Sequence, residues 1–397
     1  EEHPDTLGTM HALANVYRLM GRYDKAEELH QQVLEIRQRS LGDDHPHTIA
    51  SMISLASVYT DQGRYDKAEQ LYLQASEFQR RMLGKEHPAR LVCMNNLAVL
   101  YTDQGRYAEA EKLLHQTLVS QRRILGKEHP HTLASTDNLT RVYEAQGRYS
   151  EAEKLHQQQL EIRQRTLGLE HADTLQSMGC LAVAYHRQSQ FNKAAKLYQQ
   201  SLELLQRTQG EDCPLTQIVK DNFVGLCWSR AFTLATTDDP DEQNPTEAVR
   251  LAQQAVALDP MTANTRYILG VALCSHQEYN RAVAVFETAH ELQDGEDPYW
   301  QIFVAIAYAK VGRADDALQE YFANAVWLLN QDSVPEQYRF RDEAEEIIGF
   351  DQLNDFFSRK LKETPSDVMA TRLYADLLRR HQRAEDTPEG PMGEPNE

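Results

Sequence analysis

The sequence predicts an all-α fold, a solenoid of antiparallel helix hairpins, on three observations. The first is a strict spacing of 42 residues, kept by His3, His45, His87, His129 and His171 and again by Tyr17, Tyr59, Tyr101, Tyr143 and Tyr185. The second is punctuation at the same spacing. Gly21, Gly63, Gly105 and Gly147 recur in mid-unit with Ser189 in the fifth place, while Gly42, Gly84, Gly126, Gly168 and Gly210 close the units. The third is a helical stripe of apolar residues between these marks, such as Leu91, Met94, Leu97, Ala98 and Tyr101. Five copies in register at a period of this length define a stacked repeat.

Each unit divides into two helices. In the third copy Pro88 suits a first helical turn, where its missing N–H has no intrahelical partner to lose. The first helix then runs to the region of Tyr101, and Gly105 permits a tight turn. Tyr107 opens the second helix, whose apolar residues are Ala110, Leu113, Leu114 and Leu118. Gly126 follows Leu125, placed for the left-handed conformation that ends helices. Ala26, Ala68, Ala110, Ala152 and Ala194 share one position. Two helices that cross closely need a residue without bulk there, so the pattern reads as a hairpin.

These residues resemble the tetratricopeptide repeat. Leu97-Ala98, Tyr101, Gly105, Tyr107 and Ala110 occupy the places of its signature. The longer period, with Gly-x-x-His-Pro-x-Thr-Leu and Gly-Arg-Tyr, is similar to the variety found in kinesin light chains and in many bacterial proteins. Relative to the usual unit of about 34 residues, the extra length amounts to about two helical turns, so each helix is expected to be about a turn longer. The resemblance covers 1–210 and implies a right-handed superhelix whose first helices line a concave groove.

The fifth unit decays, with Gln190-Phe191 for Arg-Tyr and Ala172 for Pro, and Cys213-Pro214 stands where His-Pro is expected. We take 211–245 as a junction of one helix and a polar, proline-bearing loop. Beyond it the spacing shortens: Ala248 and Ala282, and Ala255 and Ala289, lie 34 residues apart. Residues 246–383 are therefore expected to form shorter hairpins, matching the ordinary 34/35-residue unit, with C-terminal capping helices, and 384–397 a disordered tail. The stretches Leu234–Pro240 and Arg339-Phe340-Arg341-Asp342-Glu343-Ala344 are similar to the C-terminal repeat region of bacterial, planctomycete-type serine/threonine kinases. That resemblance implies a kinase domain upstream.

Composition narrows the classes. The chain has 25% charged and 41% hydrophobic residues, as in soluble, ordered proteins. No apolar run approaches the roughly 18 residues of a membrane span, so no membrane insertion is expected. No signal-peptide pattern opens the chain. It begins with Glu1 inside a repeat signature, which suggests a fragment. The net charge of −19 is uneven: 1–210 hold 25 basic and 26 acidic residues, 211–397 only 16 against 34. This argues against nucleic acid as a partner. Cys93, Cys180, Cys213, Cys227 and Cys274 form no Cys-x-x-Cys pair, which fits a reducing, cytoplasmic compartment.

No catalytic set is present: there is no phosphate-cradling glycine motif, no His-Arg-Asp or Asp-Phe-Gly, and no Gly-x-Ser-x-Gly. No cofactor and no metal are expected. His45-Pro46-His47 and His129-Pro130-His131 look like ligand pairs, yet their fixed place before a helix suits capping of free N–H groups. The expected activity is non-enzymatic: a scaffold binding an extended peptide or partner helix. Carried over from the resemblance, the groove candidates are His11, Asn15 and Arg18 in the first copy, Ser54 and Ser57 in the second, and Asn95, Asn96 and Asp103 in the third. The fourth adds Asn138 and Arg141, the fifth His186 and Arg187. Asn offers a peptide main chain both donor and acceptor. Asn15 is expected to face Ser54, and Asn96 to face Asn138, so the family's Lys/Asn–Lys/Arg clamp for an acidic peptide tail is absent. The alternatives are the regulatory, substrate-recruiting arm of a kinase, or a structural spacer.

Overall fold

Every long unit begins at a histidine, and the structure, a computed structural model, shows why. It describes residues 3–292, 298–328, 335–364 and 366–385. His3, His45, His87, His129 and His171 each sit at a helix N-cap, where the Nδ1 atom accepts the N–H two residues on at 3.2–3.3 Å. This satisfies one of the donors a helix start leaves free. Proline occupies the first helical turn in four of the five copies.

The chain divides into two compact units, 1–216 and 217–397. The first holds five hairpins. They are α1 (Pro4–Leu19) with α2 (Tyr23–Leu41), α3 (Pro46–Asp61) with α4 (Tyr65–Leu83), and α5 (Pro88–Asp103) with α6 (Tyr107–Ile124). Then come α7 (Pro130–Ala145) with α8 (Tyr149–Leu167), and α9 (Ala172–Arg187) with α10 (Phe191–Gln209). Partners cross at Ala26, Ala68, Ala110, Ala152 and Ala194, all fully buried. The turn between them takes a left-handed residue, Gly105 at φ +74° for example, and Ser189 is forced to φ +58° in the fifth copy.

Arginine in the Gly-Arg-Tyr turn does more than turn the chain. The guanidinium groups of Arg64, Arg106 and Arg148 lie 4.4, 4.0 and 4.3 Å from the ring centres of Tyr59, Tyr101 and Tyr143. Each also donates to a glutamate on the second helix of the preceding hairpin, Glu27, Glu69 and Glu111, at 2.6, 2.7 and 2.7 Å. The tyrosine hydroxyls bond to the same helices: Tyr59 accepts from Gln31 and Tyr101 donates to Glu69, both at 2.9 Å. A cation on an aromatic face and a half-buried ion pair thus join the second, third and fourth hairpins to their predecessors.

Among the described residues of the second unit, the helices run α11 (Pro214–Thr236, begun in the first unit), α12 (Pro245–Leu258), α13 (Ala263–Ser275), α14 (Tyr279–Leu292), α15 (Pro298–Lys310) and α16 (Ala314–Leu328). They continue as α17 (Pro335–Ile348), α18 (Phe350–Glu363) and α19 (Val368–Glu385). Helices α13 to α16 have 13 to 15 residues against 16 to 19 in the first unit's hairpins, about one turn shorter each. α13 crosses α14 so closely that a Cβ on Gly270 would stand 2.3 Å from the Phe286 ring. Arg313 repeats the turn device, 4.2 Å from the Tyr308 ring centre and 2.6 Å from Glu287. Helix α11 extends to Thr236, and the polar loop follows it. The tail expected at 384–397 lies, from 386 onward, outside the described residues.

Two substitutions test this packing. Ala110→Leu should overpack the α5–α6 crossing and cost about 1–3 kcal/mol in denaturant melts; no loss would mean the crossing lies elsewhere. Ser189→Gly should relieve the left-handed backbone and raise stability by about 0.5–1 kcal/mol, whereas Gly105→Ala should cost about 1 kcal/mol. A neutral result for both would contradict the turn geometry.

Candidate functional site

Successive first helices approach one another, α1 with α3, α3 with α5 and α5 with α7, and no two successive second helices of the first unit come as close. The first helices therefore line its inner side. His11, Asn15, Arg18, Ser54, Ser57, Asn95, Asn96, Asn138 and His186 are half-buried on this set of helices, and Asp103, Arg141 and Arg187 are exposed.

Several of these residues meet across hairpins. Arg18 forms an ion pair with Asp61 at 2.8 Å, and Arg141 with Asp103 at 3.6 Å. Ser54 Oγ lies 3.5 Å from His11 Nε2, and Asn138 donates its amide to Asn95 Oδ1 at 3.0 Å. The facing is thus displaced from that expected: Ser54 bonds His11 rather than Asn15, and Asn138 bonds Asn95 rather than Asn96. In each case residues 43 apart meet, because neighbouring first helices are offset by one residue from the 42-residue register. The Asn95–Asn138 bond leaves an amide N–H pair on Asn95 and a carbonyl on Asn138 without other partners. Ser57 is turned inward, its Oγ 2.9 Å from the Tyr72 hydroxyl.

Below this layer lies one position of the second helices, occupied by His30, Tyr72, Leu114, His156 and Tyr198. His156 reaches Glu144 of the first helix at 3.0 Å. His30 has no such partner: it is fully buried, and among the described residues neither ring nitrogen meets a hydrogen-bond partner. Its ring stands edge-on to His11 with centres 5.0 Å apart. Burial, then the nearby His11, Arg18 and Arg37, push its pKa down to about 4. Arg37 is itself buried and donates to Ser51 Oγ at 2.8 Å. The sequence pattern marks neither residue, because 3.6-residue periodicity scores both as polar; the available signal for His30 was that three of its four register mates are Tyr72, Leu114 and Tyr198.

In the second unit, Arg339 donates to the carbonyl of Thr236 at 2.5 Å and pairs with Asp238, so the Leu234–Pro240 and Arg339–Ala344 stretches are in contact. A cavity of about 340 Å³ lies beside them, lined in part by Cys274, Ser275, Tyr279 and Phe303. Burial raises the Cys274 thiol to about 12, which makes it a poor nucleophile. Among the described residues no group of three or more His, Cys, Asp or Glu side chains could hold a metal ion. No described helix is long and apolar enough to cross a membrane.

A family model described as tetratricopeptide repeat matches residues 5–81, 54–118, 90–158 and 141–207, and a second of the same description matches 241–298. Among solved structures, nearly identical TPR-like repeats of the kinesin light chain kind from Podosopora anserina are 37% identical, over 53% of this chain and 99% of that one, with a TM-score of 0.47. BtubC (BKLC) from P. vanneervenii is 23% identical over 52% of this chain and 84% of its own, with a TM-score of 0.46. The apo form of RapI is 12% identical over 86% and 98%, with a TM-score of 0.45. No curated protein matches the chain.

Acid should weaken the first hairpin. The His30 penalty is absent above the ordinary histidine value of 6.5, grows as pH falls and is complete near 4. Denaturant melts between neutral pH and that limit should therefore lose roughly 2–3 kcal/mol on this account. His30→Leu, which copies Leu114, should flatten the slope; an unchanged slope would remove His30 from the explanation.

Proposed function

Since the chain belongs to the tetratricopeptide repeat family, we propose that it is a non-enzymatic protein-interaction scaffold that holds an extended peptide along the first-helix side of residues 1–210. The observation that carries this reading is the polar track across hairpins, His11–Ser54, Arg18–Asp61, Asn95–Asn138 and Asp103–Arg141. These pairs keep polar groups of successive hairpins at fixed separations. An extended main chain passing over Asn95 and Asn138 finds a donor and an acceptor already oriented, so little side-chain freedom is lost on binding.

The charges along the track come in opposite pairs, so the face favours a peptide read through its backbone rather than through a strong charge of one sign. The buried tyrosines Tyr59, Tyr101, Tyr143 and Tyr185 lie at the outgoing ends of the same helices, and those with recorded hydroxyl partners are engaged with the preceding hairpin. They support the face rather than the ligand. A second reading, the regulatory or recruiting arm of a serine/threonine kinase, is favoured by the contact of Arg339 with Thr236 and Asp238. A catalytic kinase sequence upstream in the parent gene would support it, and a full-length gene without one would remove it.

Peptide-array binding gives the test of the first reading. Asn95→Ala and Asn138→Ala should each weaken the best-bound peptides about five- to thirtyfold, the range for one lost hydrogen bond in a partly buried site. Gln116→Ala, on the exposed side of α6, should leave affinity unchanged. Unchanged binding in both asparagine variants would sink the assignment.

A further inference from the structure

The cavity of about 340 Å³ in the second unit is walled by separate stretches of chain: the end of α11 with the loop after it, α13, the start of α14, α15 and α17. Its size lies in the range of roughly 300–1,000 Å³ usual for ligand sites. Val271, Phe303, Ile306 and Phe340, all buried, give it an apolar floor. Asp238, Glu343, Gln277 and Arg339 bring polar ends to its wall.

Three of the wall groups have no task in holding the fold. Among the described residues Glu343 makes neither an ion pair nor a hydrogen bond, whereas the other carboxylate, Asp238, is paired with Arg339. Ser275 Oγ is buried and meets no hydrogen-bond partner among the described residues, a costly state for a hydroxyl. Gln277 holds φ +63° at the turn where the following hairpin has Gly312 at φ +82°. A glycine would take that conformation without strain, so what Gln277 adds is an amide on the cavity wall.

Arg339 shows what chemistry the site accepts. Its guanidinium lies 4.3 Å from the centre of the Phe340 ring, donates to the Thr236 carbonyl and pairs with Asp238. One carboxylate and one aromatic face are thus filled by a cation from within. The second carboxylate, Glu343, stands near Cys274 and Tyr279, whose ionisation it opposes, and has no cation of its own. Two carboxylates against one guanidinium leave the wall one negative charge in excess, inside a stretch, 211–397, that holds 16 basic and 34 acidic residues. An anion is therefore disfavoured, since Arg339 is already engaged. A guanidinium is best matched by a planar pair of acceptors, and Asp238 is taken.

We propose that this cavity binds an alkylammonium group on an apolar stem, as carried by a lysine side chain or a free diamine. An ammonium has three N–H donors. Glu343, Ser275 Oγ and the Gln277 side-chain carbonyl supply three acceptors, and Phe303 and Ile306 cover the stem. The site belongs to the second unit and does not depend on the peptide reading of 1–210.

Titration calorimetry of the full chain with acetyl-Ala-Lys-Ala-amide, its norleucine analogue and cadaverine tests this. The lysine peptide or cadaverine should bind, the tighter of the two identifying the source, and the norleucine peptide should bind at least tenfold more weakly than the lysine peptide. Glu343→Gln should weaken the bound amine at least tenfold, while Glu363→Gln, the same charge change at the end of α18, should leave it unchanged. Gln277→Gly should weaken binding about three- to tenfold while the melting temperature holds or rises, a combination that a merely structural glutamine would not give. Equal binding of the lysine and norleucine peptides, equal losses in the Glu343 and Glu363 variants, or no binding of either amine would overturn the proposal.

Discussion

The contact on which the array depends is the arginine in the turn of the second, third and fourth hairpins, which reaches back to the hairpin before it. Arg106 lies over Tyr101 of its own hairpin and pairs with Glu69 of its predecessor. One side chain therefore fixes two things, the exit of the first helix and the step to the neighbouring hairpin. Its energy as an ion pair is modest, because about a third of the arginine side chain remains exposed. Its geometric effect is larger than its energy. A planar cation held between a ring and a carboxylate leaves little freedom in the angle between hairpins, and apolar packing around the alanine crossings does not supply that directional constraint. The same arrangement returns at Tyr308, Arg313 and Glu287, where the helices are a turn shorter. The device is thus independent of helix length.

A fixed step between hairpins is what turns scattered polar residues into a continuous face. With the first helices in contact, a side chain on one copy meets its neighbour one residue off the 42-residue register. Arg18 then finds Asp61 and Asn95 finds Asn138. Residues that look like independent surface groups in the sequence are coupled in pairs, and substitution at one frees or strands the other. If the face holds a peptide as proposed, selection would work through pairs, with the junction between two hairpins rather than the hairpin as its unit.

Much of this was legible beforehand, and for a physical reason. A backbone requirement, such as the φ +74° at Gly105, or a crossing too close for a side chain, as at Ala110, admits few residue types and so imprints itself five times. The histidine before each helix belongs to the same class, since a cap needs an acceptor at one place. What stayed hidden depends on three-dimensional offset. The one-residue displacement between first helices cannot be seen in a period counted along one chain, which is why Ser54 was matched with Asn15 rather than His11. The second task of Arg106 was hidden too, because its partner lies 37 residues away on a helix of another copy. His30 escaped because its register position holds Tyr, Leu and His in turn, and polar spacing reads as surface.

His30 bears on how stability is shared along the stack. In a stack each hairpin owes much of its stability to its neighbours, so the end copies are the first to open. In the described residues, the first hairpin holds a buried imidazole with no hydrogen-bond partner. This lowers the stability of α1 and α2 relative to α5 and α6, whose equivalent position holds Leu114. The polar track begins on this hairpin, at His11 and Arg18. A peptide lying along the track, as proposed, would meet at its first hairpin the one buried imidazole that has no hydrogen-bond partner among the described residues.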